Sequence, residues 1–356
     1  FMTQFLQSPT RPWFVLIPAS GKPIAIIPTI GVPLMRDCYI GDLQSWASPA
    51  ASDDGISLVL AAIRQHVDPA GHLGMMMGRE TSIRMPLGDL FRLQAELGPI
   101  EFCDMTPDIQ HIRMIKSPAE QAKLAHVCQL ASDVFGDITT WVDIGLPLDS
   151  LFRQFKMRAL KAGIDDVSYL VGAAGPGGYR DIIAPPTSKP LQASDVFMLD
   201  TGCVWDGYFS DFDRNFALHH ANDAACLAHN RLYDAIEAAL SILKPEAIVK
   251  PSIRASDLFT AMDAILRPND AKGDDAKGDD VGRYGHGLGI QLTEPPSHTQ
   301  WDETLIEAGM VLTLEPSIIY ADGLLMVAEE NILIGTDGVT FLSKRAPRDL
   351  PIIKPA

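Results

Sequence analysis

The residue types with the clearest chemistry in this chain are four acids and one histidine, spread over its C-terminal half. They are Asp200, Asp211, His286, Glu315 and Glu329. Carboxylate oxygens and an imidazole nitrogen suit hard or borderline divalent cations, and this donor set is sufficient for two such ions to share a bridging water. The five positions therefore predict a site for two divalent metal ions, provided that the fold brings them together.

The first two acids lie on a predicted hairpin. An apolar run leads directly into Asp200, and Asp206-Gly207 is a tight-turn sequence ahead of Asp211. A hairpin through that turn brings both carboxylates to one face, where a cation would offset the cost of burying them. Taken alone, the segment is equally compatible with solvated turn aspartates and an ion pair between Asp213 and Arg214.

The other three candidates are weaker when taken singly. His286 stands between two glycines, and such a histidine is more often a loop or core residue than a ligand. Glu315 follows one apolar strand sequence, and Glu329 with Glu330 interrupts another, so these charges need partners. Because side chains alternate along a strand, only one of Glu329 and Glu330 faces inward, and the alternation does not choose between them.

Charge and cysteine content argue against several classes of protein. Asp plus Glu outnumber Lys plus Arg by 45 to 29, and the formal charge of −16 repels phosphate backbones and anionic membranes, so no nucleic acid or membrane partner is expected. The five cysteines include no C-x-x-C pair, which indicates neither a disulfide framework nor a thiolate zinc site. No signal peptide or 18-residue apolar run is visible, and we expect a cytoplasmic protein.

The length of 356 residues favours two domains. Residues 1–112 are predicted to form a small α/β domain, and its abrupt apolar start suggests that an N-terminal portion is missing. A capping box, Ser117-Pro118-Ala119-Glu120, opens a long helix just after the expected boundary near residue 113. Within the first domain we expect a hairpin of residues 13–19 and 23–30, helices at 56–67 and 87–97, and strands at 73–77 and 100–103.

Residues 113–356 are predicted to form an α+β domain. Helices are expected at 118–140, 147–162, 223–243 and 255–267, and strands at 168–173, 195–201, 207–218, 309–318, 324–334 and 338–343. Tight-turn sequences join the last three strands, which predicts an antiparallel meander. A direct repeat, Asp270–Asp274 and Asp275–Asp279, is expected to be a solvated surface loop or, alternatively, a lid.

The motifs together resemble those of a known family. The chain contains Asp-x-Gly-x-x-x-x-Gly-Tyr-x-Ser-Asp, a Gly-His-Gly-x-Gly loop, a Glu-Pro after an apolar strand, and a Glu followed by an acid and Asn. This pattern resembles the pita-bread metallopeptidases, which include aminopeptidase P, prolidase and creatinase-like enzymes. The resemblance implies a C-terminal pita-bread domain, a smaller creatinase-like N-terminal domain shortened at its start, and a homodimer.

The resemblance also implies roles for the five residues. Asp200 would be terminal on one ion, Asp211 and Glu329 would bridge both ions, and His286 and Glu315 would complete the other. Glu329 is thereby selected over Glu330, and Glu315 is the expected general base. Oxygen-rich sites with one imidazole suit Mn²⁺, Co²⁺ or Zn²⁺, and Mn²⁺ is the first choice.

Several positions depart from the family pattern. Ile183, Gly282 and Thr293 stand where the family commonly has histidines, and Val327 replaces an arginine. In the family, the histidines and the arginine bind the substrate and shuttle protons. Their replacement in this chain is therefore evidence about which substrate it accepts. Asp213 stands where the family has threonine.

Six further residues close in sequence to the five candidate ligands are candidates for contacting the substrate or supporting the metal ions. Asp213 is a supporting acid, a further ligand or the partner of Arg214. His298 is expected either to substitute for the missing proton shuttle or to be a loop histidine. The remaining candidates are Tyr208, Arg283, Tyr284 and Thr293.

Three functions remain open from the sequence. The first is a dinuclear metallohydrolase that cleaves an Xaa-Pro or related amide bond in a small peptide. The second is an enzyme of the same fold that acts on a small non-peptide metabolite, as a creatinase-like C–N hydrolase or a lyase. The third is a non-catalytic binding module, which the complete ligand set argues against.

Overall fold

A computed structural model describes residues 12–267, 282–321 and 323–355 of the chain. The chain divides into two compact units, residues 1–110 and 111–356. The direct repeat at residues 270–279 lies outside the described residues, and so do the first residues of the chain. Among the helices of the described ranges, none has the length and apolarity that a membrane span requires.

The first unit contains short strands and amphipathic helices. β1 (Phe14–Leu16) pairs antiparallel with β2 (Ile24–Pro28), which confirms the predicted hairpin, and β2 also pairs in parallel with β3 (Asp42–Trp46). β4 (His72–Met75) and β5 (Glu101–Asp104) form a parallel pair close to the predicted positions. The helices are α1 (Val32–Met35), α2 (Ile56–His66), α3 (Leu87–Leu97) and α4 (Thr106–Met114).

The second unit opens with the predicted capping box. Ser117 Oγ accepts a hydrogen bond from the Glu120 amide at 3.4 Å, and the Ser117 amide donates to Glu120 Oε2 at 2.8 Å. The helix that follows is shorter than predicted, because α5 (Pro118–Gly136) gives way to a 3-10 turn at Ile138–Thr140. The remaining helices are α6 (Leu148–Ala162), α7 (Asp223–Ile242), the short α8 (Pro245–Val249), and α9 (Ala255–Leu266).

Three long strands form the sheet that carries the first candidate ligands. β6 (Asp166–Pro176), β7 (Asp195–Trp205) and β8 (Tyr208–Leu218) are successive antiparallel neighbours. Asp206 and Gly207, with φ angles of 47° and 79°, form the predicted two-residue turn between β7 and β8.

A second sheet carries the remaining candidate ligands. The strands of this region are β9 (His286–Gly287), β10 (Glu294–Ser297), β11 (Val311–Leu314), β12 (Ser317–Tyr320), β13 (Leu324–Val327), β14 (Glu330–Gly335) and β15 (Gly338–Phe341). Five of them form the second sheet, in the order β10-β9-β11-β14-β15, and β12 and β13 form a separate antiparallel pair. The last strand, β16 (Ile352–Ile353), joins the first sheet in parallel with β8.

The predicted strands 309–318 and 324–334 are each interrupted, which corrects the expected continuous meander. The antiparallel pairing is as predicted, since Leu314 pairs with Glu330 and Ser317 pairs with Val327. Both strands break between these pairs, and Pro316, which has no amide hydrogen for the ladder, lies in one break. The two breaks therefore lie opposite each other.

Strand β7 is buried on both faces. Val196 and Met198 belong to the apolar cluster that includes residues of α7 and α9. Phe197 and Leu199 belong to the cluster that includes residues of α5 and α6. Burial on both faces explains why residues 196–199 of this strand read as a continuous apolar run rather than an alternating one. Asp200 follows that run directly, in the middle of β7.

Replacing Phe197 with alanine tests this packing. Phe197 is fully buried and stacks on Phe216 with ring centroids 5.3 Å apart. We expect F197A to lower the free energy of unfolding by about 3–5 kcal/mol, because both transfer and cavity costs apply. Urea denaturation followed by circular dichroism measures this. The control M157A removes a side chain that is 62% exposed, and equal losses in the two variants would contradict the packing assignment.

Candidate metal centre

The hairpin of β7 and β8 places three aspartates on one face of the sheet. Asp200 pairs directly with Asp213, and Gly202 pairs with Asp211. Residues two apart on a strand share a face, so the three carboxylates point the same way. Asp200 is a partly exposed residue, whereas Asp211 and Asp213 are buried.

His286 is held in the tautomer that a metal ligand needs. Its amide donates to Thr313 Oγ1 at 3.0 Å, and its Nδ1 lies 2.9 Å from the Gly287 carbonyl oxygen. Because a carbonyl only accepts, Nδ1 carries the hydrogen and Nε2 keeps a free lone pair. Nε2 lies 3.5 Å from Asp211 Oδ2 and 3.9 Å from Glu315 Oε2.

The two opposite strand breaks contain the candidate ligands Glu315 and Glu329. Glu315 follows β11 directly and Glu329 precedes β14 directly. The break is pinned by main-chain hydrogen bonds, from the Glu315 amide to the Tyr284 carbonyl at 3.0 Å and from the Ala328 amide to the Pro316 carbonyl at 3.2 Å. Donor atoms of Asp211, His286 and Glu329 lie within 4.8 Å of one another, so residues far apart in the sequence converge here.

Glu329 and Glu330 have different surroundings. Glu330 accepts from Arg214 Nη2 at 2.9 Å and from the Ala346 amide at 2.7 Å, and it also accepts from the Ser343 hydroxyl. Its carboxylate is thus fully engaged in the fold. Glu329 is equally buried, yet its Oε1 has no hydrogen-bond partner among the described residues. The structure therefore places Glu329, and not Glu330, beside Asp211 and His286.

Burial sets the electrostatics of this pocket. It raises the pKa of Asp200 to about 8, with a further contribution from the Glu315 charge, and it raises the pKa of Glu315 to about 7. The pKa values of Asp211 and Glu329 also lie well above the ordinary range, because of burial first and of repulsion between the carboxylates second. Burial lowers the pKa of His286 to about 3, so its ring is neutral.

The donor set fits divalent cations. Asp200 Oδ1 and Glu329 Oε1 are buried without a hydrogen-bond partner in the described part of the chain. Buried carboxylate oxygens of this kind are costly unless a cation or a proton satisfies them. Four carboxylates and a neutral imidazole with a free Nε2 are oxygen-rich donors of the kind that Mn²⁺, Co²⁺ and Zn²⁺ accept.

Asp213 has a different partner from the one that the sequence suggested. Arg214 donates to the main-chain carbonyls of Asp213 and Glu329, and its salt bridge is with Glu330. The Asp213 carboxylate instead accepts from Asn215 Nδ2 at 2.8 Å, and its other oxygen is buried without a partner in the described chain. Burial, with the Asp200 charge second, raises its pKa well above the usual value. The alternative of an Asp213–Arg214 side-chain pair was therefore wrong.

Comparison with known protein families identifies the family of this chain. Residues 122–337, more than half of the chain, match the model of metallopeptidase family M24. The chain belongs to that family. The predicted pita-bread family is thereby confirmed.

Relatives of this M24 chain are named as dipeptidases. A putative dipeptidase, YkvY, of Bacillus subtilis is 27% identical over 74% of the chain and 69% of its own length. An Xaa-Pro dipeptidase of Pyrococcus horikoshii is 26% identical over 75% and 73%. A prolidase structure from Thermococcus sibiricus has a TM-score of 0.83 at 21% identity and covers 98% of this chain and 89% of its own. This likeness confirms the pita-bread fold with an N-terminal domain.

The two tyrosines that the sequence proposed for substrate contact have partners within the fold. The Tyr208 hydroxyl donates to Glu120 Oε1 at 3.1 Å. The Tyr284 hydroxyl donates to Asp263 Oδ1 at 3.1 Å, and its ring stacks on Phe259 with centroids 4.7 Å apart. Substrate contact by either ring stays a prediction.

Arg283 acts on the centre through its charge. Burial raises the pKa of Asp211 and Glu315, and the Arg283 charge lowers both again. Its Nη2 also donates to Thr293 Oγ1 at 3.5 Å. These contacts place a positive group and a hydroxyl together at the edge of the centre.

His298 is fully buried, and neither ring nitrogen has a hydrogen-bond partner among the described residues. Its ring packs against the backbone of Gly285, where an added Cβ would lie 2.6 Å from His298 Nδ1. Burial lowers the pKa of His298 to about 4. The neutral ring therefore offers one N–H donor and one acceptor beside the segment that carries His286.

Two residues at the M24 centre were given no role by the sequence. Asn331 accepts from the Asp211 amide at 3.0 Å and donates back to the Asp211 carbonyl, so it holds β8 against β14. A buried amide inside an apolar strand was the available signal. Tyr169 lies opposite Gly202, which in turn lies opposite Asp211 on the next strand. Burial raises the pKa of Tyr169, and so do the nearby charges of the four candidate carboxylate ligands. No local pattern marks Tyr169.

The stability of the metal-stripped protein should fall as pH rises from about 4 to about 8. Asp200 and Glu315 have raised pKa values in the folded chain, so the folded state keeps protons that the unfolded state releases in this window. The stabilisation is complete below the unfolded pKa and is lost through the folded one. Thermal unfolding with chelator across this range tests the sign. Saturating Mn²⁺ should remove or reverse the slope, and identical slopes with and without metal would contradict the assignment.

Proposed function

We propose that this chain is a dinuclear metal-dependent peptidase that hydrolyses the amide bond of Xaa-Pro peptides, as an aminopeptidase or dipeptidase. The observation that carries the proposal is the convergence of Asp211, His286 and Glu329 donor atoms within 4.8 Å, with Glu315 3.9 Å from His286. The Xaa-Pro dipeptidase among the relatives supports the substrate class. The substrate would be a small peptide.

Each proposed ligand has a position that suits its role. Asp200, in the middle of β7, would bind one ion, and His286 with Glu315 would bind the other. Asp211 and Glu329 would bridge both ions. Asp200 Oδ1 and Glu329 Oε1 have no partner in the described part of the chain, and the Nε2 lone pair of His286 is available, which supports their role as ligands. We propose Mn²⁺ as the metal, with Co²⁺ or Zn²⁺ as alternatives.

The chemistry would proceed by attack of water on the amide carbonyl. Bound divalent ions would lower the pKa of the water and polarise the carbonyl. Glu315 would accept the proton of the attacking water as the general base. His298, whose ring nitrogens have no hydrogen-bond partner among the described residues, is proposed to hydrogen-bond the substrate or relay the proton to the leaving nitrogen.

Substrate positioning would fall to groups around the ligands. The charge of Arg283 and the hydroxyl of Thr293 lie together at the edge of the centre, where a substrate carboxylate would find a cation and a donor. Asp213 would support Asp200, its partner across the sheet. A buried acid with one unpartnered oxygen is suited to hold a proton or a hydrogen bond beside the ligands.

Two positions that depart from the family pattern favour a second candidate, an enzyme acting on a small non-peptide metabolite. Ile183 is 69% exposed, and Val327 is buried with only its main chain in hydrogen bonds to Tyr179 and Asn215. Neither side chain offers the donor that the resemblance expects. A same-fold C–N hydrolase or lyase would not need the missing peptide-binding groups. A non-catalytic module would need no unsatisfied carboxylates, which argues against it.

Activity screening of the metal-loaded protein separates these candidates. We expect turnover of Xaa-Pro dipeptides or short Xaa-Pro peptides with Mn²⁺, and E315Q should lower kcat at least about 100-fold because the general base is lost. The matched control E303Q changes an exposed glutamate whose side chain is 68% accessible. No turnover of proline peptides, together with turnover of guanidino or betaine compounds, would favour the second candidate. Undiminished activity in E315Q would refute its role.

A neighbouring pair of variants tests the ligand assignment. We expect E329Q to bind less metal per chain than the native protein and to lose activity. E330Q should keep its metal content but lose about 3–5 kcal/mol of stability, since it breaks the buried pair with Arg214. Metal analysis after dialysis and urea unfolding measure the two effects. Full metal content in E329Q would show that Glu329 is no ligand.

A further inference from the structure

A second cluster of metal-binding side chains lies in the first unit, on the parallel pair β4 and β5. His72 pairs with Glu101, and Gly74 pairs with Cys103. Paired residues on adjacent strands share a face, as do residues two apart on one strand. His72, Glu101 and Cys103 therefore occupy three corners of one square on the sheet surface. The fourth corner is Gly74, which adds no side chain.

The three donor atoms converge on one point. Cys103 Sγ lies 3.4 Å from His72 Nδ1, and Glu101 Oε2 lies 3.4 Å from the same nitrogen. All three atoms lie within 4.8 Å of one another. In a tetrahedral zinc site with typical bond lengths, sulfur and nitrogen lie about 3.6 Å apart and nitrogen and oxygen about 3.4 Å apart. The side chains thus already have the spacing of a coordination sphere.

We propose that His72 Nδ1, Cys103 Sγ and Glu101 Oε2 bind one zinc-class divalent ion. A thiolate, an imidazole and a carboxylate are all zinc ligands, and three protein ligands leave a fourth position for water or another molecule. The side chains of His72 and Glu101 are 66% and 71% exposed, so the bound ion exchanges readily with solvent. Binding releases the thiol proton to solvent.

The surroundings leave room for the fourth ligand. His72 and Cys103 line a cavity of about 920 Å³ that is mainly apolar. Met105 packs over Gly74, where an added Cβ would lie 2.4 Å from Met105 Cγ, so the empty corner is covered by a thioether side chain rather than by a charge.

Cobalt titration of the metal-free chain tests the proposal. A cysteine thiolate bound to Co²⁺ gives an intense near-ultraviolet charge-transfer band, and the carboxylate and imidazole ligands proposed for the peptidase centre do not. We expect a band that saturates at one thiolate site per chain and is bleached by Zn²⁺. The band should be absent in C103S and present in C38S, which removes another partly buried cysteine of the same unit.

A second variant guards against misfolding of C103S. H72A keeps the thiol and should weaken cobalt binding at the band at least about tenfold, because the central donor is lost. The absence of a band in the native chain after saturation with cobalt would overturn the proposal, and so would an unchanged band in C103S or H72A. In that case, the cluster is a hydrogen-bonded and ion-paired surface group with no metal.

Discussion

The cost of burying several carboxylates in one pocket is the constraint on which the rest of this structure depends. Asp211 and Glu329 are buried, Asp200 and Glu315 are largely shielded from water, and repulsion between these carboxylates adds to the raised pKa values of Asp200, Asp211 and Glu329. Such a group is stable only with protons or cations in place. The need for compensation links the stability of the second unit to the proposed chemistry, because the same ions that neutralise the carboxylates would activate water.

Rigid elements hold these groups together against their repulsion. Strand β7 is packed on both faces, and Asn331 ties the main chain of Asp211 to β14 through two hydrogen bonds. Arg214 neutralises Glu330 and also binds the carbonyl of Glu329. One buried arginine thus compensates the structural acid and orients the backbone of its neighbour, which leaves the Glu329 carboxylate available to a metal.

The interrupted strands show how the fold converts sheet structure into a site. A regular ladder would send Glu329 and Glu330 to opposite faces and would keep Glu315 in line with its strand. Opposite breaks beside Pro316 and Ala328 release both glutamates from the ladder, while pairing resumes on either side. The two glutamates therefore occupy irregular positions between strands that are otherwise in line. The apolar sequence on either side of each break predicts one continuous strand.

The sequence by itself determined the types of the candidate ligands, the β7–β8 hairpin, the capping box and most helices, because turn residues, caps and periodicity act within a few residues of the chain. Tertiary structure decided the rest. It pairs Glu330 with Arg214 and leaves the Glu329 carboxylate beside the other candidate ligands. It also makes Asn215, and not Arg214, the hydrogen-bond partner of the Asp213 carboxylate, and it brings His72 next to Cys103 on two parallel strands. These choices depend on register and on contacts between distant segments, and no local pattern encodes them.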